Sequence, residues 1–359
     1  MISLSQINNV GYGFGYGYQN NKISNYNIKH FKSLEYAVKL KCNFIDTARE
    51  YGNGSSEQQI GLLKNADKTK IFISTKVSPE NLTYEKFINS VTKSLDALNV
   101  DCIDLIQPHW PSEKFNINEI IKAFLYLKEK KFVRYFGLSN FPLSTAIYVK
   151  KKIPKYFKFI QDRYLPGDPF SEKKLKFCKK NKLFYVVYSP FHFFDLKKKE
   201  ILKNIYKLGF KKQSYHKVLL NFQLSKYKNI IVIPRSFKKE NIKNNSDLNF
   251  KKKDKLNYET LSKELAFEFK SLNLDKIKIF QNKFFIQNLK EARNIRSEKN
   301  LSLTPLQISR NLNNNNKHKI LPIIVERIGP DLYLKEGQVR YWAFFIKFGK
   351  KSTINCIII

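Results

Sequence analysis

Short apolar runs of strand length recur along the first two thirds of the chain, and longer stretches with helical spacing lie between them. The runs sit at 43–46, 71–76, 103–108, 133–140, 159–161, 183–188 and 230–233. Ile230-Ile231-Val232-Ile233 is apolar throughout, as a strand buried on both faces should be. An earlier stretch, 10–17, alternates glycine with aromatic residues, which predicts a strand where backbone approaches something closely. Helical patterns fill the gaps at 27–40, 57–63, 83–98 and 117–130. In the first of these Phe31, Leu34, Ala37 and Val38 share one face, and Ser55 or Ser56 is placed to cap the second. Eight strands alternating with helices predict a parallel α/β fold, a (β/α)8 TIM barrel.

The rhythm changes after about residue 245. A helix is expected over 258–272, a polar asparagine-rich linker over 311–316, and paired strands at 320–325 and 332–334. Gly337 then turns the chain into a helix, and 353–359 reads as a terminal strand. The last four residues formally match a prenylation signal, but a strand accounts for them as well as for the residues before. The expected division is a barrel over 1–250, a helical connector over 251–310 and a small C-terminal α+β module over 311–359.

Composition changes this picture little. A length of 359 residues suits one barrel of about 250 residues with a smaller module attached. The formal net charge of +36 invites a nucleic-acid or anionic-surface reading. The basic residues are mostly lysines, however, scattered among Asn, Ile, Phe and Tyr rather than gathered in one element. Cys42, Cys102, Cys178 and Cys356 show no paired spacing, so reduced thiols are expected and no metal centre is. The residues after Met1 lack the pattern of a secretory leader, and no apolar run reaches the length of a membrane span. A cytoplasmic location is expected.

The chemistry gathers at strand ends. Polar residues at the C-terminal ends of barrel strands face a pocket rather than the core. Here Asp46, Lys76 and His109 each close an apolar run, and Tyr51 follows Asp46 by five residues. Any one of these alone reads as a cap, a solvated charge or a satisfied histidine; all four in succession read as a site. A phenol titrates near about 10, and an ammonium beside it brings that value toward the range where general acid catalysis works. Asp46 is then placed to hold Lys76, and His109 to aim a substrate oxygen.

These residues resemble the motifs of the aldo-keto reductase family. The resemblance runs through Asp46-Thr47-Ala48 with Tyr51-Gly52 and Ser56-Glu57, Ser74-Thr75-Lys76, Asp104-Leu105 with His109-Trp110-Pro111, Gly137-Leu138-Ser139-Asn140, Gln161, Tyr188-Ser189-Pro190 and Ile233-Pro234-Arg235-Ser236. It implies hydride transfer between NADPH, or NADH, and an aldehyde or ketone, with Tyr51 as general acid or base and Trp110 on the substrate side. By the same resemblance Ser139, Asn140 and Gln161 hold the nicotinamide carboxamide and Tyr188 stacks on its ring. Gly13 and Phe14 lie near the cofactor, Arg235 and Ser236 bind its phosphate, and Asn245 meets the adenine. A second basic residue expected six positions after Arg235 is replaced by Asn241, which leaves NADPH against NADH open. The connection after His109 is short, which implies an open pocket.

Beyond the barrel, the module resembles the N-terminal fold shared by ParB-like and sulfiredoxin-like proteins, in which a glycine and arginine turn binds nucleotide phosphate. Arg340 takes that position, while a sulfiredoxin's catalytic cysteine has no counterpart between Gly337 and Arg340. Two rival readings follow: a catalytically silent, cofactor-sensing barrel, and a nucleotide- or nucleic-acid-binding protein acting through the C-terminal module.

Overall fold

The computed structural model describes residues 2–15, 25–112, 115–210, 213–248, 255–281, 285–294, 304–312 and 322–359. The chain forms two compact units, one of Met1–Pro111, Phe115–Leu165 and Pro169–Leu265, the other built around Ala266–Ile359.

In the first unit eight strands run β1 (Tyr12–Gly13), β2 (Phe44–Asp46), β3 (Phe72–Val77), β4 (Ile103–Pro108), β5 (Val133–Ser139), β6 (Phe157–Asp162), β7 (Phe184–Tyr188) and β8 (Ile230–Ile233). Each pairs in parallel with the next. A parallel bridge between Val10 and Val232 joins the last strand to the first and closes the barrel. β1 is shorter than the 10–17 stretch suggested, since only Tyr12 and Gly13 pair with β2 and residues 16 and 17 lie outside the described residues. The close approach expected there is real: a Cβ on Gly11 would lie 2.8 Å from the Phe44 carbonyl oxygen. The helices Asn25–Lys39, Tyr84–Leu98 and Ile117–Glu129 occupy the predicted stretches. The helix Ser55–Gly61 is capped differently, starting on Gly54 at φ 92° with both serines inside it.

Side chains alternate along a strand, and four strands use that alternation in the same way. Phe44, Phe72, Leu105 and Phe159 belong to one buried apolar cluster together with Val186 and Ile231. Two residues further along the same faces stand Asp46, Ser74, Gln107 and Gln161, all buried. The barrel interior thus changes from an aromatic layer to a polar layer over one pleat. Phe159 is the centre of the aromatic layer, with ring centroids 4.9 Å from Phe184 and 5.5 Å from Phe72.

The second unit is a five-stranded sheet, β9 (Glu268–Asn273), β10 (Ile277–Lys278), β11 (Ile323–Ile328), β12 (Asp331–Glu336) and β13 (Thr353–Ile358), ordered β10-β12-β11-β13-β9. The expected hairpin is present as antiparallel β11 and β12. The terminal strand buries Cys356 completely, so the last residues are a sheet strand. The helix Gln338–Phe348 follows Gly337, which has φ 96°, and sends Tyr341, Trp342 and Phe344 into the apolar core of this unit. Arg340, read from sequence as a phosphate ligand, gives its Nη1 to the Pro322 carbonyl at 2.6 Å.

The helical connector expected over 251–310 is not what forms. A helix occupies Lys255–Glu264, but β9 and β10 follow, and the helices Leu289–Asn294 and Pro305–Asn311 are short. β9 is an edge strand, with no residue buried and rich in polar residues, and its antiparallel partner is β13, far along the chain. A strand with that composition has no apolar signature of its own, and its pairing is invisible to local periodicity. Lys251, Lys252 and Lys253, and the asparagine run beyond Leu312, lie outside the described residues.

Replacing Phe159 by alanine is expected to lower the unfolding free energy by about 3–5 kcal/mol, measured by chemical denaturation. A much smaller loss would mean that the aromatic layer repacks around the gap.

Candidate active site

The polar layer is organised around Asp46, whose carboxylate accepts three hydrogen bonds. Lys76 Nζ lies 2.7 Å from Oδ2, Gln161 Nε2 donates to the same oxygen at 3.0 Å, and Ser74 Oγ donates to Oδ1 at 2.9 Å. Lys76 also donates to the Thr47 carbonyl at 2.7 Å and is 1% exposed. Gln107 ties the ring of donors together, giving Nε2 to Gln161 Oε1 at 2.6 Å and to Ser74 Oγ at 3.2 Å. A buried ammonium survives only where a carboxylate and further acceptors surround it, and Lys76 has both.

Above the pair sits Tyr51, delivered by a tight 3-10 turn, Tyr51–Gly54, in which Gly52 and Asn53 take positive φ. The Lys76 ammonium lies 5.7 Å from the centre of the Tyr51 ring. His109, at the end of β4, meets that ring edge-on with centroids 5.6 Å apart. Trp110 stands beside it, 4.2 Å from the imidazole. The structure therefore brings Asp46, Tyr51, Lys76 and His109 together, as their positions on the strand ends implied.

A second group follows at the ends of β5 and β7. Asn140 turns with φ 62° directly after Ser139. Its Nδ2 donates to the His109 carbonyl at 3.0 Å and to Ser139 Oγ at 3.1 Å, while its Oδ1 accepts from the Tyr188 hydroxyl at 2.6 Å. One hydrogen-bonded chain thus runs from the His109 backbone to Tyr188. Tyr188 also carries the Arg163 guanidinium 5.7 Å from its ring centre.

Between these groups opens a cavity of about 390 Å³, walled by Gly13, Phe14, Asp46, Tyr51, Tyr188 and Arg235 among others. A Cβ on Gly13 would lie 3.0 Å from the Ile233 carbonyl, so the wall is bare backbone there by necessity. Arg235 is exposed and hydrogen-bonds the Gly15 carbonyl. Ser236 and Asn245 do not border the cavity. Ser236 accepts Tyr12 Oη at its carbonyl, and Asn245 sits on the helix Lys239–Ser246 that follows β8.

Residues 11–264 match the model of the aldo/keto reductase family. This chain belongs to that family. The methylglyoxal reductase of Salmonella typhi is 33% identical over 113 residues, 31% of this chain and 42% of the relative, so the chain spans less than half of that relative's length. Among solved structures, a thermostable aldo-keto reductase in complex with the inhibitor epalrestat is 25% identical with a TM-score of 0.62, covering 71% of this chain and 95% of the other. An aldo-keto reductase of Klebsiella pneumoniae in complex with NADPH shares the fold at 18% identity and a TM-score of 0.62, covering 71% and 91%. The family match ends just before Ala266–Ile359, the main stretch of the second unit.

Placed in an aldo-keto reductase, several residues that motif reading passed over take on clear tasks. Gln107 joins Ser74 to Gln161 and so completes the ring around Asp46. Gln107 was legible in principle, as a polar residue two positions after the apolar Leu105 and on the same face of the strand. Glu50, next to Tyr51, is half-buried with its side chain only 7% exposed, and it approaches His109. Gly15 lies against the Tyr51 ring, since a Cβ there would come within 2.1 Å of Tyr51 Cδ2. Burial, reinforced by the Lys76 charge and partly offset by Asp46, holds the His109 imidazolium far below its usual range, so the ring is neutral. Among the described residues no cluster of His, Cys, Asp or Glu is arranged to hold a metal ion.

Gly15→Ala is expected to displace the Tyr51 ring and to reduce kcat/KM on the order of a hundredfold, the cost of misplacing a reacting group by about an ångström. Steady-state kinetics beside an unchanged melting curve would show it; unaltered turnover would mean that the segment carrying Gly15 yields instead.

Proposed function

We propose that this protein is an NADPH-dependent reductase of aldehydes or ketones, able to run the reverse oxidation, with Tyr51 as the group that gives the oxygen its proton. The observation that carries this reading is the buried Asp46–Lys76 pair directly beneath a phenol that opens on the cavity. A cation fixed at that point stabilises negative charge on the phenol oxygen and so eases release of its proton. Asp46 and its ring of donors keep the ammonium in place. His109, neutral and edge-on to Tyr51, is positioned to hydrogen-bond the substrate oxygen that the phenol protonates.

The cavity suits a dinucleotide. Tyr188 offers an aromatic face for the nicotinamide and Gly13 leaves the wall open, while Ser139, Asn140 and Gln161, which the resemblance assigns to the carboxamide, stand at the neighbouring strand ends and would exchange present hydrogen bonds for it. Arg235 and Ser236 at the end of β8 would hold a phosphate, aided by the helix Lys239–Ser246 that follows. NADPH, when bound, supplies the hydride. The exposed Arg235 guanidinium favours the phosphorylated ribose of NADPH over NADH, although Asn241 brings no second charge. The relatives' name, methylglyoxal reductase, makes small α-oxoaldehydes the first substrates to test. A silent barrel gives no reason for four acid-base groups to be assembled, and the family match lends no support to action through the C-terminal unit.

Tyr51→Phe is expected to reduce turnover by about 10²–10⁴-fold, the usual contribution of a positioned acid, while NADPH still quenches the protein's fluorescence with little change in affinity. A variant that keeps most of its rate would remove Tyr51 from this role. Arg235→Ala is expected to weaken NADPH by about ten- to a hundredfold, a charge-assisted hydrogen bond being worth about 1.5–3 kcal/mol, and to leave NADH nearly unaffected. Equal losses for both cofactors, measured by the same titration, would count against the phosphate contact.

A further inference from the structure

A neutral imidazole carries one ring proton, so one of its nitrogens donates and the other only accepts. In His109 one ring nitrogen has a neighbour of its own. Nδ1 lies 2.6 Å from Glu50 Oε1, and the two side chains are 8% and 7% exposed. The oxygen sits well off the axis of a ring N–H, so the contact becomes a hydrogen bond only when the imidazole turns to face it. The two nitrogens occupy opposite sides of the ring, which leaves Nε2 to meet a substrate oxygen.

We propose that the Glu50 carboxyl selects the tautomer of His109, and through it matches the site to the direction of the reaction. With Glu50 protonated, its O–H donates to Nδ1, the ring proton sits on Nε2, and Nε2 donates to a carbonyl oxygen. That is the form reduction needs. With Glu50 ionised, Nδ1–H donates to the carboxylate, and bare Nε2 accepts from an alcohol hydroxyl. That is the form oxidation needs. Passing from the first to the second moves the carboxyl proton to Nδ1 and releases the Nε2 proton to solvent, a net loss of one proton from the pair.

The surroundings put this change within reach of neutral pH. Burial raises the Glu50 carboxyl from 4.5 to about 7, against the opposing pull of the Lys76 charge and a hydrogen bond from Ser78. Glu80, itself raised mainly by burial, faces Glu50 as a second carboxyl, while Asp46 and Tyr51 complete the ionisable neighbours of the imidazole. Because the folded value is raised, the protonated form prevails below about 7 and is lost as pH climbs through it. Glu50 acts through His109 and is a positioning residue. Nothing in the family motif read from sequence gave it a task.

The inference rests on His109 facing the substrate oxygen, and its test includes a measurement that needs no turnover. The full-length protein, labelled with 15N in its histidines, is titrated from about pH 5 to 8, the range of histidine-type switching, with His109 assigned from the spectrum of His109→Asn. The expected result is an Nε2–H tautomer that gives way to Nδ1–H as pH rises in the wild type, and one tautomer throughout in Glu50→Gln, whose amide offers an N–H at every pH. In kinetics, kcat/KM for carbonyl reduction falls about tenfold per unit above the wild-type midpoint, as loss of one essential proton requires, and stays level in Glu50→Gln. A single His109 tautomer across the range in the wild type, or an unchanged midpoint in Glu50→Gln, overturns the proposal. Glu50→Asp supplies a second variant that keeps the titrating group, and it should retain the switch at a shifted midpoint. A protein that shows the switch yet reduces no carbonyl would sink the functional reading and leave the tautomer control standing.

Discussion

The Asp46–Lys76 pair is the constraint on which the rest of the barrel's chemistry hangs. Two opposite charges, each almost wholly removed from water, hold together only while every remaining lone pair and proton finds a partner. Thr47, Ser74, Gln161 and, at one remove, Gln107 supply those partners from four different strands or strand ends. Removing Asp46 or Lys76 alone would leave the other charge buried and uncompensated, typically costing about 3–5 kcal/mol. The strands are therefore locked in register by the same bonds that poise the phenol above them.

Directly beneath this polar layer the barrel is filled with phenylalanine, and the transition takes a single pleat on β2, β3 and β6. The aromatic layer excludes water from below, and that lowers the local dielectric in which the pair and the neutral His109 operate. It also explains why the site faces one end. The C-terminal ends of the strands carry Asp46, Lys76, His109, Ser139 and Tyr188, while the layer below is built from Phe44, Phe72, Leu105, Phe159, Val186 and Ile231.

The second unit obeys different rules. Its sheet mixes parallel and antiparallel pairs, its core is drawn from β11, β13 and one face of the helix Gln338–Phe348, and its edges are a two-residue strand and a polar one. In the first turn of that helix Arg340 donates to the Pro322 carbonyl, and Trp342 Nε1 donates to the Ile286 carbonyl at 2.9 Å. These are the bonds of a small unit closing its own core.

What the sequence determined by itself was the barrel and the identity of its central groups. Eight short apolar runs separated by helical patterns leave few other architectures, and each run ends where its side chains must become polar. Asp46, Tyr51, Lys76 and His109 were legible because each lies at the end of a run whose direction is set locally. What only the tertiary structure decided are contacts between elements far apart in the chain. The reach of Gln107 to Gln161, of Glu50 to His109, and of Gly15 to the face of Tyr51 depends on strand order and turn geometry, not on any spacing along the chain. β9 escaped detection for the same reason, since an exposed edge strand owes its form to its partner β13 and only weakly to its own residues. Periodicity records which face of an element is buried; it carries no record of what the other side of the pocket brings to meet it.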